Sequence, residues 1–176
     1  NATIATTNSR IELSKCYELE TLKFFKCNLT DKLLHTFLKN FFSPHMIKRV
    51  DQYIAQKNQT TKVQQTPPSD EPSPYKLSRL HISECELLTN PVIQSETMED
   101  LRMINCNKLQ NPFISCGNLK RLQLNWCEEL ENITMSTNTL QKMDLTGAGK
   151  KNNKDNTRQH IVSAVKQFNE NIEILY

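Results

Sequence analysis

Leu77-Ser-Arg-Leu80-His-Ile82-Ser-Glu-Cys85, Met98-Glu-Asp-Leu101-Arg-Met103-Ile-Asn-Cys106, Leu119-Lys-Arg-Leu122-Gln-Leu124-Asn-Trp126-Cys127 and Leu140-Gln-Lys-Met143-Asp-Leu145-Thr-Gly147-Ala148 are four readings of one pattern, set 21 residues apart. A further apolar column follows at Leu88, Leu109 and Leu130, and after it come Asn90-Pro91, Asn111-Pro112 and Asn132-Ile133. One such match is uninformative. Register held over so many columns means an array of stacked units, each too small to bury its apolar side alone.

The chemistry of one unit explains the pattern. Leu80 and Ile82 are spaced by two, so both side chains leave the same face of a short extended strand, and they must point inward. The same argument buries Leu101, Met103, Leu122, Leu124, Met143 and Leu145. The cysteine column suits a tight buried bend, because a thiol is small, soft and only weakly a donor, and Ala148 replaces it without conflict. LxxLxLxxC at this period resembles the leucine-rich repeat family. The segment CNLTDKLLHTFLKN after Phe25-Lys26 resembles its ribonuclease-inhibitor-like subclass, in which an inner strand pairs with an outer helix. The resemblance implies an α/β fold: a right-handed leucine-rich repeat solenoid with a parallel concave β-sheet and outer helices and turns.

A chain of 176 residues is one domain by length, and 37% hydrophobic residues suits an array in which each unit buries only its inward columns. The net charge of +3 is too mild for a nucleic-acid-binding face. No apolar run is long enough to span a membrane, and the opening NATIATTNSR has no hydrophobic stretch for export. Of six cysteines, Cys16, Cys27, Cys85, Cys106 and Cys127 fall at or near inward bends, which predicts reduced thiols and an intracellular reducing compartment.

Taken in order, residues 1–9 carry no core pattern, and 10–27 hold an N-terminal cap (Ile11, Leu13, Cys16) and a first unit from Leu19 to Cys27. Residues 28–57 hold an outer helix begun by Thr30 or Asp31 and continued through Leu33, Leu34, Phe37, Leu38, Phe41 and Phe42, then a second unit. Within it 46–55 reads either as an inner strand or as an amphipathic helix begun at Pro44. Residues 58–75 are polar and proline-rich and read as a flexible loop. The four units of 77–148 are too short for a helix on the return path, so their Asn-Pro segments are expected to be extended or turn-like. In 149–176 a polar loop over 149–159 precedes an outer helix over 160–168 and a terminal strand over 172–176.

Reactive chemistry is poorly supported. Gly147-Ala-Gly149-Lys150-Lys151 lacks the spacing of a phosphate loop, with Asp144 where the first glycine belongs. His35, His45, His81 and His160 lie on separate units, and neither a CxxC nor an HExxH is present. Cys116 aligns with Ser95 and Thr137, which predicts a free thiol on the outer surface with no base beside it. No catalytic residue, metal site or cofactor is expected.

The stacked strands do create a surface. Opposite the inward pairs, one row reads Arg79, Asp100, Arg121, Lys142, the next His81, Arg102, Gln123, Asp144, and the third Ser83, Ile104, Asn125, Thr146. Parallel strands lie about 4.8 Å apart, so these become ladders on the concave wall. Alternating charges along a ladder would suit a merely solvated face. Trp126 argues otherwise, since it falls at an outward position, and tryptophan and arginine are the residues most enriched in binding hot spots. The expected partner-binding set is Arg79, His81, Arg102, Arg121, Gln123, Trp126, Lys142 and Asp144. The function expected is that of a non-catalytic protein–protein interaction module, a monomer binding a protein partner, with no nucleic acid and no membrane span. The Asn- and Lys-rich composition resembles repeat effectors that intracellular bacterial pathogens deliver into the host cytoplasm. The alternatives are a substrate-receptor subunit of a ubiquitin ligase or the recognition domain of a larger enzyme.

Overall fold

A computed structural model describes residues 2–4, 19–39, 76–149, 154–166 and 169–176. In chain order the elements are β1 (Ala2–Ile4), β2 (Thr21–Phe25), α1 (Asp31–Lys39), β3 (Arg79–Ser83), β4 (Val92–Ser95), β5 (Asp100–Ile104), β6 (Phe113–Cys116), β7 (Arg121–Gln123), β8 (Thr134–Ser136), β9 (Lys142–Asp144), α2 (Lys154–Lys166) and β10 (Glu173–Leu175).

Spacing by two decides the inner strands. Leu80, Ile82, Leu101, Met103, Leu122, Leu124, Met143 and Leu145 are all at 0% exposure, as their period predicts. The strands that carry them form a seven-stranded sheet in the order β1-β2-β3-β5-β7-β9-β10, every neighbouring pair parallel. Equivalent positions stand side by side, with Leu80 opposite Leu101, Leu101 opposite Leu122 and Leu122 opposite Met143. The segments after Asn90-Pro91, Asn111-Pro112 and Asn132-Ile133 run on into β4, β6 and β8, which make a second parallel sheet of three strands. Ile93 and Ile114 from that second sheet join the inner leucines in one buried cluster, so the core lies between the two sheets. The described architecture is therefore α/β, with parallel sheets and two helices.

Five of the inner strands, β2, β3, β5, β7 and β9, end in the same backbone device. Lys26, Glu84, Asn105, Trp126 and Gly147 all have positive φ, between 49° and 72°, and each immediately precedes Cys27, Cys85, Cys106, Cys127 or Ala148. One left-handed residue reverses the chain sharply enough to turn the following small side chain into the core. The ladder is not broken there. The N–H of Glu84 donates to Ile104 O at 3.0 Å, that of Asn105 to Asn125 O at 2.9 Å and that of Trp126 to Thr146 O at 2.9 Å. Left-handed φ strains most residues other than glycine and asparagine, and these continuing hydrogen bonds hold the conformation.

The length of each connection decides what fills the outer layer. Asp31 contacts Thr89 across a sequence offset of 58, Asn90 and Asn111 are 21 apart, and Lys142 and Glu173 are 31 apart. Among the described residues, only these two longer connections carry helices. Thr30 caps α1 by accepting a hydrogen bond from Leu33 N at 3.3 Å. The Asp31 carboxylate accepts from Thr89 N at 3.0 Å, Thr89 Oγ1 at 2.7 Å and Asn90 N at 2.9 Å, which ties the start of α1 to the turn before β4.

Two sequence expectations are corrected. Ala2–Ile4 pairs in parallel with Leu22–Phe24, so a strand lies within residues 1–9, where no core pattern was visible. The second helix starts at Lys154, inside the stretch 149–159 read as a loop, because Asp155 in its first turn favours the helix N-terminus. Ile11, Leu13, Cys16, Phe41, Phe42, the segment 46–55 and the loop 58–75 lie outside the described residues. The sheet itself passes directly from β2 to β3.

Candidate functional site

Because the inner strands alternate, their other face carries the predicted ladders. Arg79, Asp100, Arg121, Lys142 and Glu173 stand in successive register, as do Lys23, His81, Arg102, Gln123 and Asp144. Seven of the eight residues of the expected set, Arg79, His81, Arg102, Arg121, Gln123, Lys142 and Asp144, therefore share one face, none of them fully buried, while Trp126 stands past the end of β7 at the left-handed bend. They do not act as one cluster.

Asp100 organises the middle of the face. It is only 1% exposed, although the sequence read it as one member of a charge ladder. Arg102 donates to it twice, Nε to Oδ1 at 2.9 Å and Nη2 to Oδ2 at 2.7 Å, and Arg121 Nη2 approaches Oδ2 at 3.4 Å. Burial alone would raise the Asp100 pKa, but the Arg102 hydrogen bonds and charge, with Arg121 beyond, hold it below the ordinary carboxyl value. Arg102 is fixed in a fork that leaves its remaining donors outward.

The flanks are more locally paired. Arg79 lies 3.5 Å from Glu20, and Lys142 lies 2.7 Å from Glu173. Exposed pairs of this kind stabilise little. Asp144 accepts from Thr146 N at 2.9 Å and Thr146 Oγ1 at 2.7 Å. Burial pushes Asp144 upward, yet hydrogen bonds from Asn125, Thr146 and Gln123 leave it below the usual carboxyl value. Gln123 and Asp144 thus serve each other. His81 is half-buried; burial first, then the Arg102 charge, lowers its pKa, so the ring is neutral at pH 7.

Trp126 is 51% exposed, in agreement with its predicted outward position. It also has a structural seat. Its indole lies against Gly147 of the next strand end, where a built Cβ would overlap the ring. Gly147, which the sequence offered as part of a failed phosphate loop, is what makes room for it.

Cys116 does not lie on the outer surface. It is at 0% exposure, and burial pushes its thiol up to about 12. It sits two residues after Ile114 on β6, so both face inward, and Ser95 and Thr137, at 6% and 8%, occupy the same buried column. All five described cysteines carry free thiols. Cys106 and Cys127 donate weakly to backbone carbonyls of the adjoining strand, at 3.9 and 3.3 Å, as a bend-filling thiol should.

Lys23 and Phe25 on β2 were missed, and they extend the face toward the N-terminal side. Their signal was present in the unit from Leu19 to Cys27, whose outward rows continue those of the later strands. Among the described residues no group of three His, Cys, Asp or Glu side chains converges as metal ligands would, and no helix is long and apolar enough to cross a membrane.

Protein-family models, curated proteins and solved structures yield no match to this chain.

Proposed function

We propose that the chain is a leucine-rich repeat solenoid that acts as a non-catalytic protein–protein interaction module, binding a protein partner on the outward, concave face of its seven-stranded sheet. The observation that carries this reading is the parallel sheet itself. It presents Arg79, His81, Arg102, Arg121, Gln123, Lys142 and Asp144 on strands whose spacing the core below holds rigid, with Trp126 at the bend that follows β7. A preformed surface loses little conformational entropy on binding. Trp126 supplies apolar area at the end of the face, and Arg102 and Arg121 are oriented by one buried carboxylate. The buried thiols suit a reducing compartment, such as the host cytoplasm that the effector resemblance implies.

The test places a photo-crosslinking amino acid at Gln123 in one protein and at Glu131, outside that face, in another. The first should capture a specific protein in the cytosol and the second should not. Arg121→Ala should then weaken the purified pair by about 1–3 kcal/mol. If Arg121→Ala leaves affinity intact while deletion of residues 60–72 abolishes it, the partner reads another surface.

A further inference from the structure

Across β2, β3 and β5 the outward face sinks into a depression of about 400 Å3, lined by Lys23, Phe25, His81, Ser83, Arg102 and Ile104. That is room for two or three side chains and far too little for a folded domain. Its charges are incompletely answered. Asp100 is shared between Arg102 and Arg121, one carboxylate for two guanidiniums, and Lys23 makes no ion pair among the described residues. His81 keeps Nε2 buried without a hydrogen-bond partner. Beside these cations the surface turns apolar, with Phe25 40% exposed and Ile104 half-buried. Lys23 and Phe25 are two apart on one strand, as are Arg102 and Ile104, so the polar and apolar halves are separated by one same-side step of an extended chain.

We propose that this depression is the subsite for an extended acidic segment of a partner protein, with a carboxylate against Lys23 and Arg102 and an apolar side chain two residues along against Phe25 and Ile104. The proposal rests on the outward face being a partner surface and names what one part of it reads. A phosphate backbone fits less well, because the nearby cations Arg79, Lys26 and Lys120 are already paired with Glu20, Glu84 and Glu99, which leaves Lys23 and Arg102 for a single carboxylate and, among the described residues, no basic track for a row of phosphates. The imidazole adds a pH signature. The charged and titratable groups around His81 are Arg102 and Asp100 on β5, Lys23 on β2 and Arg79 on its own strand. A carboxylate bound among them favours the imidazolium, so binding takes up a proton and tightens as pH falls.

The experiment titrates the protein against fluorescein-labelled Ser-Glu-Ser-Phe-Ser-Gly by anisotropy, with Ser-Lys-Ser-Phe-Ser-Gly and Ser-Glu-Ser-Ser-Ser-Gly as controls. The acidic apolar peptide should bind with a Kd below about 1 mM and both controls at least about tenfold more weakly. Lys23→Ala and Arg102→Ala should each weaken it about fivefold or more while the thermal midpoint of Lys23→Ala stays unchanged. Lowering the pH from about 7.5 to about 6 should tighten binding, and His81→Gln should remove that dependence. Binding that ignores Lys23→Ala and Arg102→Ala but is weakened by Arg121→Ala overturns the subsite and leaves the face reading intact. No binding of the acidic peptide, equal binding of the lysine control, or competition by a single-stranded oligonucleotide with the same residue dependence overturns it as well, and the partner reading then stands or falls on the crosslinking result.

Discussion

Trp126 and Gly147 show how one residue depends on another a full period away. The indole needs the space a side chain at 147 would fill, and Gly147 has a φ of 72° that L-residues adopt at a penalty. Gly147→Ala therefore combines a backbone penalty with displacement of the ring. It should destabilise the protein by about 1–3 kcal/mol in urea unfolding and shift the tryptophan emission toward red. Trp126 is the single tryptophan of the chain, so the emission reports this contact directly. Unchanged stability and emission would mean that the ring is not seated there. The exposure of Trp126 matches its expected outward position, although alternation along β7 does not reach it: with Leu122 and Leu124 inward, strict alternation would turn Trp126 inward, and the left-handed bend after the strand turns it out. Its seat was not legible, because left-handed φ falls here on Lys26, Glu84 and Trp126, residue types that give no hint of it, and only Asn105 and Gly147 are residue types that favour it.

At the scale of elements, alternation and connection length carried most of the fold. Leu122 sits on β7, an interior strand of the sheet, between Leu101 and Met143, at 0% exposure. Leu122→Ala should lose about 2–5 kcal/mol in denaturant unfolding, since rigid neighbours on both sides leave the cavity unfilled. A loss below about 0.5 kcal/mol would contradict the stacking register. The inner strands, the helix opened by Thr30 and the extended return segments could all be read from spacing. β1 could not, because three residues give no periodicity to detect. Cys116 was misplaced for a related reason: the return path was treated as surface, although a second sheet with its own spacing by two buries one side of it. Of the candidate site, the rows on β3, β5, β7 and β9 were legible. The grip of Asp100 on Arg102 and Arg121 was not, because register places side chains in order along a ladder without saying which of them turn toward each other.

For the molecule as a whole, three kinds of group give the stability profile its shape against pH. The Asp100 and Asp144 pKa values are lowered in the fold, so their stabilisation is present above the unfolded carboxyl value near about 4 and lost as pH falls through the folded values. His81 is also lowered, so the unfolded chain takes up its proton first, and stability declines as pH drops below about 6.5. Burial raises Cys27, Cys106, Cys116 and Cys127 to about 12, so their contribution is whole below the unfolded thiol value and fades as pH rises toward the folded one. Urea unfolding across pH should show a plateau with an acid shoulder that His81→Gln reduces and an alkaline decline above about pH 9. A profile unaltered by His81→Gln between about pH 5 and 6.5 would contradict the first, and constant stability to about pH 11 the second. The unequal connections carry a consequence of another kind. Treated as flexible chain, a span of 58 residues in place of 21 raises the entropy of closing the loop by about 0.9 kcal/mol, because the dependence on length is logarithmic. That is less than one buried leucine contributes. Neighbouring strands can therefore keep their pairing while the chain between them grows, and length variation in such a protein is nearly free on the outer path and forbidden along the ladder.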